Sequence, residues 1–270
     1  MRSTHTFTTL RAERTGFVLM LTLDHPATRN ALTDEMVDDL LAGLEVAQAA
    51  PDIRAVVLRG TDGMFCAGAD LKGTIAKLGQ GEAGLASIGE DNRKAGRLFR
   101  RLAETDVTTI AVVEGPAFGG GFGLACCADV VIVTPAARFS LSETTLGLIP
   151  AQIAPHLVAR IGRAAAKRLA LTARRFGGAE AQALGLADHI CVDAAEVEAT
   201  LADVLAGIGR CAREANAATK TLLRIVPEIA SDRSIEAAAA AFVAAISGEE
   251  GREGISAFVE KRPANWISQP

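Results

Sequence analysis

The sequence predicts an α/β fold with largely parallel strands, because short apolar runs alternate along the chain with segments of helical periodicity. Residues 17–23 form the first apolar run, and Pro26 follows it closely. Residues 55–58, 109–113 and 130–133 form three more, made mostly of Val, Ile, Leu and Ala. Each run has the length and composition of a buried strand. The intervals between them are long enough for the helices that parallel pairing requires.

Helical periodicity is clearest in the segment that begins at Thr33. Apolar residues recur there at helical spacing, as Met36, Leu40 and Leu44. A different texture is found in residues 79–90, which are polar and rich in glycine. This composition predicts a mobile loop between the second and third strands.

The second half of the chain is predicted to be mainly helical. It is rich in alanine, and residues 161–171, 179–184 and 235–246 have helical character. The sequence therefore predicts an α/β core over residues 1–200 and a helical C-terminal region over residues 201–270. No Pro- or Ser-rich linker separates the two, so we expect them to pack as one unit.

Composition excludes several classes of protein. The chain has 270 residues, of which 49% are hydrophobic, so it is not a disordered protein. Its 28 Lys and Arg against 32 Asp and Glu give a net charge of −4, which argues against binding to nucleic acid or to anionic membranes. Every apolar stretch is interrupted well before the roughly 18 residues of a membrane span.

Cysteine and histidine usage indicates a cytoplasmic protein without a metal site. Five cysteines without Cys-x-x-Cys spacing are typical of reduced, buried thiols. The N-terminal residues lack the apolar segment of a secretory signal. The histidines have no metal-ligand spacing to one another or to cysteine. They are His5, His25, His156 and His189.

Residues 65–72 are the first segment that could carry chemistry. Ala67, Gly68 and Ala69 are small, so a ligand can approach the backbone and receive a hydrogen bond from an N–H group. The alternative is a tight connection between a strand and a helix, with no role in binding.

Residues 114–124 are the second such segment. They contain three consecutive glycines, 119–121, before an apolar stretch that predicts a helix. A helix start of this kind exposes unpaired N–H groups and the positive end of the helix dipole, which suits an anion or a developing oxyanion. No Lys-Ser/Thr pair follows, so this is not a phosphate-binding Walker loop. A packing role for the glycines is the alternative.

Glu143 is the third feature, a carboxylate within the otherwise apolar and hydroxyl-bearing residues 139–150. An isolated glutamate is most often a solvated surface residue. In apolar surroundings its pKa would rise, which would suit it to proton transfer.

Five segments in this order resemble the crotonase, or enoyl-CoA hydratase/isomerase, superfamily. They are residues 25–32, 65–72, 114–124, 139–150 and 254–263. The resemblance implies a spiral of ββα units with a helical C-terminal region, assembled as a homotrimer or as a hexamer of paired trimers. It also implies an acyl-CoA thioester substrate and no separate cofactor. By motif matching, the N–H groups of Ala69 and Gly120 hold the thioester oxygen while it carries enolate charge.

The same resemblance implies a binding site for CoA. Its contacts come from Arg29 and from the loop that carries Ala67 and Leu71. Near the C-terminus, Phe258 and Lys261 reach the CoA of a neighbouring subunit. Lys261 could pair with a phosphate, and its alternative is a solvated lysine.

One departure from the family pattern concerns acid–base residues. Hydratases with two carboxylates carry a first glutamate where this chain has Gly123, so Glu143 alone remains. Glu114 is not a substitute, since it precedes the glycines. A single carboxylate favours a Δ3,Δ2-enoyl-CoA isomerase, although it can also deprotonate water and return that proton to C2.

Three other segments look most like those of bacterial hydratases of branched glutaconyl-CoA esters, such as isohexenylglutaconyl-CoA and 3-methylglutaconyl-CoA hydratases. These segments are residues 148–155, 216–220 and 261–266. The expected function is therefore hydration of a branched or glutaconyl-type 2-enoyl-CoA. The alternatives are the isomerase and a catalytically silent acyl-CoA-binding protein.

Gln152 and His156 are the candidates for orienting water or substrate. Gln152 could hydrogen-bond the water, and protonated His156 could pair with the distal carboxylate of a glutaconyl chain. The alternative is that both residues face solvent on a helix.

Overall fold

The computed structural model describes residues 7–225 and 232–267, and the side chains of residues 225 and 232–234 lie outside the description. It contains a large sheet with the strand order β1-β2-β3-β4-β6-β9 and a small one with the order β5-β7-β8. The strands are β1 (Leu10–Thr15), β2 (Val18–Leu23), β3 (Ala55–Gly60), β4 (Thr108–Val113), β5 (Pro116–Phe118), β6 (Val130–Val133), β7 (Arg138–Ser140), β8 (Phe176–Gly177) and β9 (His189–Ile190). Only β1 pairs antiparallel in the large sheet, so the prediction of mostly parallel strands is confirmed.

Ten helices are described, and they surround the sheets. They are α1 (Asp34–Ala49), α2 (Leu71–Leu78), α3 (Gly81–Glu104), α4 (Gly120–Cys127), α5 (Ala154–Thr172), α6 (Gly178–Ala183), α7 (Ala194–Arg210), α8 (Arg213–Ile225), α9 (Asp232–Ser247) and α10 (Glu249–Glu260). The predicted start of α1 is confirmed, because the Thr33 side chain accepts a hydrogen bond from the Met36 N–H at 3.2 Å.

The prediction of a mobile loop over residues 79–90 is wrong. Helix α3 begins at Gly81 and continues for 24 residues, with Phe99 buried near its C-terminal end. Gly84 serves close packing rather than flexibility: a Cβ atom there would lie 1.8 Å from the carbonyl oxygen of Lys77 in α2. Glycine therefore lets the two helices approach each other, a demand that composition alone does not distinguish from loop formation.

Both faces of the large sheet are covered, as parallel pairing requires. In β3, Val56 and Leu58 belong to the main core with α1 and α4, whereas Val57 points to the opposite face. There it joins a second core with Val197 and Leu201 of α7. The helix that crosses residue 200 thus packs on the sheet, and the division of the chain at that residue stays a prediction.

Helix α4 is anchored by a cluster of three phenylalanine rings. Phe122 lies 5.5 Å from Phe139 and 5.6 Å from Phe176, measured between ring centroids. Phe139 and Phe176 are also stacked on each other at 5.4 Å. These contacts join α4 to the small sheet and so hold the N-terminus of the helix in one position.

No helix in the described ranges is long and apolar enough to cross a membrane. Over the same ranges, no three His, Cys, Asp or Glu side chains are grouped so that they could hold a metal ion, and His5 lies outside them.

Candidate active site

Three segments that are far apart in sequence form one backbone assembly. Residues 65–69 lie between residues 29–32 on one side and β5 on the other. Three backbone hydrogen bonds join them: Ala67 N–H to the Arg29 oxygen at 3.1 Å, Leu32 N–H to the Gly68 oxygen at 2.8 Å, and Phe118 N–H to the Cys66 oxygen at 3.0 Å. The small residues of the segment are therefore packed against two neighbours, as a tight connection requires, and the role of the segment in binding stays a prediction.

The backbone around Gly68 lies against the N-terminus of α4. Gly68 has φ +95°, and a Cβ atom there would lie 2.7 Å from the Phe118 oxygen and 3.5 Å from the Gly120 nitrogen. Within the described residues, neither the Ala69 N–H nor the Gly120 N–H has a backbone acceptor outside the regular helices and strands. Two unpaired donors thus lie close together, one of them at the positive end of a helix. This arrangement suits an oxygen atom that gains negative charge.

Asn30 holds the turn that carries Arg29, a role that the sequence analysis missed. Both residues have φ 56°, a left-handed conformation that asparagine adopts more readily than most residues. The buried Asn30 amide accepts the His25 N–H at 2.8 Å and donates to the Met64 oxygen at 3.0 Å. The Arg29 side chain is left exposed beside the site.

Glu143 lies beside the glycine turn before α4. It begins a 3-10 helix, Glu143–Leu146, and its Oε1 atom is 3.0 Å from the position that a Cβ atom on Gly119 would take. Its Oε2 atom is buried and has no hydrogen-bond partner in the described part of the chain. Burial raises the pKa of this carboxyl group. A carboxyl group without a hydrogen-bond partner, next to two unpaired N–H groups, is suited to accept and return a proton.

At Gly123 the site is closed by apolar side chains. A Cβ atom there would lie 2.3 Å from Cγ2 of Ile153 and 3.1 Å from Cε1 of Phe99. A carboxylate at this position would require Ile153 to move. Glu114 does not replace it, because its Oε2 accepts a hydrogen bond from Arg59 Nη2 at 2.7 Å. Glu143 is therefore the one carboxyl that the described chain brings to this glycine turn.

Gln152 and His156 lie in a groove between α3 and α5, not on an open helix face. The Gln152 Nε2 donates to Oδ1 of Asn92 at 2.7 Å, and its Oε1 lies against Gly96. The half-buried His156 ring is 6.3 Å from the Phe99 ring, measured between centroids. Burial lowers the pKa of His156, so the imidazole is neutral at neutral pH.

The other predicted CoA contacts divide into two groups. Leu71 is the first residue of α2 and follows Asp70, which caps the helix by accepting the Gly73 N–H at 3.1 Å through Oδ1. Because Asp70 directly follows Ala69, Leu71 lies near the unpaired donors. Phe258 and Lys261, by contrast, lie at the end of α10, which packs on α8 and α9. Phe258 is 86% exposed. The prediction that these two residues reach a neighbouring subunit stays a prediction.

The α/β fold places two backbone N–H donors beside one buried carboxyl group, an arrangement suited to holding an oxyanion and to transferring a proton. The family model described as enoyl-CoA hydratase/isomerase matches residues 13–269. The chain belongs to this family.

Similar proteins agree with the assignment. An enoyl-CoA hydratase/isomerase structure from Marinobacter aquaeolei is 40% identical, covers 96% of this chain and 99% of its own, and has a TM-score of 0.91. The AtuE structure from Pseudomonas aeruginosa is 43% identical, covers 97% of this chain and 100% of its own, and also has a TM-score of 0.91. The 2,3-dehydroadipyl-CoA hydratase of Escherichia coli is 33% identical over 92% of this chain and 94% of its own. The expected crotonase-like fold with C-terminal helices is confirmed. Particular closeness to isohexenylglutaconyl-CoA hydratases stays a prediction.

Proposed function

We propose that the protein hydrates a 2-enoyl-CoA thioester of a branched or glutaconyl type, with Glu143 as its single acid–base group. The observation that carries this proposal is the unpartnered Glu143 carboxyl beside the free N–H groups of Ala69 and Gly120. A relative that is named for a dicarboxylic acyl chain, the 2,3-dehydroadipyl-CoA hydratase, supports the substrate class.

The reaction uses the carboxyl group twice. The Glu143 carboxylate takes a proton from water as the oxygen of that water bonds to C3 of the substrate. The electron pair of the C2–C3 double bond moves to form the enolate, whose oxygen accepts the N–H groups of Ala69 and Gly120. Glu143, now protonated, returns the proton to C2 as the enolate collapses to the thioester. The raised pKa of Glu143 favours the first step, because it makes the carboxylate a stronger base.

The residues that surround the two donors are suited to CoA. Arg29 is exposed at the left-handed turn, Ala67 is joined to it by a backbone hydrogen bond, and Leu71 begins the next helix. We propose that Arg29 pairs with a phosphate of CoA and that the other two contact the thioester end. Arg29→Ala should therefore raise KM with kcat nearly unchanged.

We also propose that the chain assembles as a homotrimer, alone or paired into a hexamer. Helices α9 and α10 carry large apolar side chains that are about half exposed or more, which supports an interface there. They are Phe242, Val243, Ile255, Phe258 and Val259. Light scattering should return the mass of three or six chains, and a monomer would contradict the proposal.

The activity is tested by the absorbance of the conjugated enoyl thioester. Adding the protein to 3-methylglutaconyl-CoA, or to a longer branched homologue, should remove this absorbance, and Glu143→Gln should not. The second candidate, a Δ3,Δ2-enoyl-CoA isomerase, is favoured by the closed wall at Gly123, where no second carboxylate helps to hold water. If the protein converts a 3-enoyl thioester to the conjugated isomer but hydrates no 2-enoyl thioester, the result would contradict the hydratase and support the isomerase. Absence of both reactions, with tight binding of acyl-CoA, would indicate a silent binding protein.

A further inference from the structure

A positively charged groove lies between helices α3 and α5. It has a volume of about 470 Å³, and its lining contains three arginines, one histidine and one glutamine but no carboxylate. The lining residues are Arg93, Gly96, Arg97, Arg100, Gln152, Pro155 and His156. The three arginines recur on α3 at spacings of four and three residues, so they share one face of the helix.

The positive charge of the groove is only partly neutralised. Glu90 accepts hydrogen bonds from Arg93 at 2.8 Å and from Arg97 at 2.7 Å. Arg100 has no acidic partner within 4.0 Å in residues 7–225 and 232–267. Glu104, one turn further along α3, does not line the groove, and its charge acts on His156. Three guanidinium groups therefore face one carboxylate, which leaves the groove suited to an anion with oxygen acceptors.

The groove lies one aromatic ring away from the oxyanion donors. The Phe99 ring contacts both regions. A Cβ atom on Gly120 would be 3.6 Å from Cζ of Phe99, and the His156 ring in the groove lies 6.3 Å from the Phe99 ring, measured between centroids. Residues 147–153 connect Glu143 to the groove along a second side, since Ile153 packs on Gly123 and Gln152 enters the groove. The oxyanion donors and the arginines therefore lie on neighbouring faces of Phe99 and Ile153, which makes the groove adjacent to the candidate active site.

We propose that this groove binds the distal carboxylate of a dicarboxylic enoyl-CoA, with Arg97 and Arg100 as its ionic contacts and the Gln152 amide beside them. The proposal rests on the proposed function, because it takes the thioester to be held at Ala69 and Gly120. It specifies the substrate as a monothioester of a dicarboxylic acid. It also replaces His156, which is neutral at neutral pH, by arginine as the partner of the carboxylate.

The test uses two thioesters of equal chain length, glutaconyl-CoA and 2-pentenoyl-CoA, which differ in a terminal carboxylate or methyl group. Arg100→Ala should lower kcat/KM for glutaconyl-CoA by about tenfold or more, mainly through KM, because one charge-assisted hydrogen bond is lost. The same variant should leave 2-pentenoyl-CoA unchanged. Arg101→Ala is the matched control, since this exposed neighbour does not line the groove, and it should leave both substrates unchanged.

Equal losses on both substrates, or no loss on either, would overturn the groove as a carboxylate site. Hydration of 2-pentenoyl-CoA in preference to glutaconyl-CoA would overturn it too, while hydration of a 2-enoyl thioester by Glu143 would stand without the glutaconyl substrate class. Calorimetric binding of the unreactive pair glutaryl-CoA and pentanoyl-CoA separates the two proposals further. An Arg100-dependent preference for glutaryl-CoA supports the groove even if no enoyl thioester is hydrated, and its absence counts against the groove whatever the turnover.

Discussion

The two glycines of helix α4 that face the site, Gly120 and Gly123, have opposite surroundings although they are less than one turn apart. At Gly120 the N–H is unpaired and lies close to Gly68, with Glu143 nearby at Gly119. At Gly123 the space of a missing side chain is filled by Ile153 and Phe99.

The difference shows that absence of a side chain serves two purposes in one helix. On the Gly120 side it leaves polar groups available to a ligand, whereas on the Gly123 side it admits an apolar wall. In the proposed function, the acid–base chemistry is thereby concentrated on a single carboxyl group. Each of the following changes tests one side of this comparison.

The largest effect is expected from Glu143→Gln, which keeps the shape of the side chain but removes its base. We expect kcat to fall by about 10²–10⁴-fold, the usual contribution of a general acid–base group. Glu114→Gln is the matched control, since Arg59 holds that carboxylate, and its kcat should be close to that of the wild type. Retention of more than about a tenth of kcat in Glu143→Gln would assign proton transfer to another group.

The raised pKa of Glu143 also determines whether Glu143→Gln gains or loses stability relative to the wild type. Because burial raises the pKa of Glu143, the folded chain binds its proton more tightly than the unfolded chain does. The stabilisation is complete below the ordinary pKa of glutamate and is lost as the pH rises through the folded-state pKa. At neutral pH the ionised side chain therefore costs stability, and Glu143→Gln should unfold in urea at an equal or higher concentration. A urea midpoint of Glu143→Gln below that of the wild type would contradict the burial of an unpaired charge.

A smaller loss is expected from Gly120→Val on the open side. A Cβ atom at this position would lie 2.7 Å from Cδ1 of Leu32, so the branched side chain displaces the helix start and crowds the thioester. We expect kcat/KM to fall by about 10²-fold, as for loss of one oxyanion donor. Gly207→Val is the control, because a Cβ atom there meets only the tip of Arg210 at 3.8 Å. Normal turnover by folded Gly120→Val would mean that the glycines serve packing and do not form an oxyanion site.

On the closed side, Gly123→Glu should destabilise the fold, because Cγ2 of Ile153 occupies its space. We expect a loss of about 1–3 kcal/mol in the free energy of unfolding, as for overpacked cores. The variant Ile153→Ala completes a double-mutant cycle. The double variant should be less destabilised than the sum of the single ones by at least about 0.5 kcal/mol, the lower range for residues in contact. Strict additivity in urea unfolding would mean that Ile153 does not determine the residue at 123.

The smallest effect is expected from Gln152→Ala, which removes the hydrogen bond that we propose the groove amide gives to the substrate carboxylate. Loss of one such bond corresponds to a decrease of about two- to tenfold in kcat/KM toward the proposed dicarboxylic substrate. The exposed Gln182→Ala serves as the control and should have no effect. An unchanged kcat/KM in Gln152→Ala would remove this amide from the groove's function.

Local patterns in the sequence predicted much of the fold. The apolar runs predicted β2, β3, β4 and β6, because strand formation responds to residues that are adjacent along the chain. The short strands β5, β7, β8 and β9 were not predicted, since each has only two or three residues and depends on its partner strand.

The sequence by itself determined the chemical groups of the site, because glycines before an apolar helix and a glutamate in an apolar stretch are local features. The tertiary structure alone decided their surroundings. It brought Gly68 against Gly120, packed Ile153 over Gly123, and lined the groove with arginines of α3, a helix whose first residues, 81–90, composition had predicted to be a loop. These contacts join residues tens of positions apart, so they depend on the packing of helices and strands, which no local pattern records.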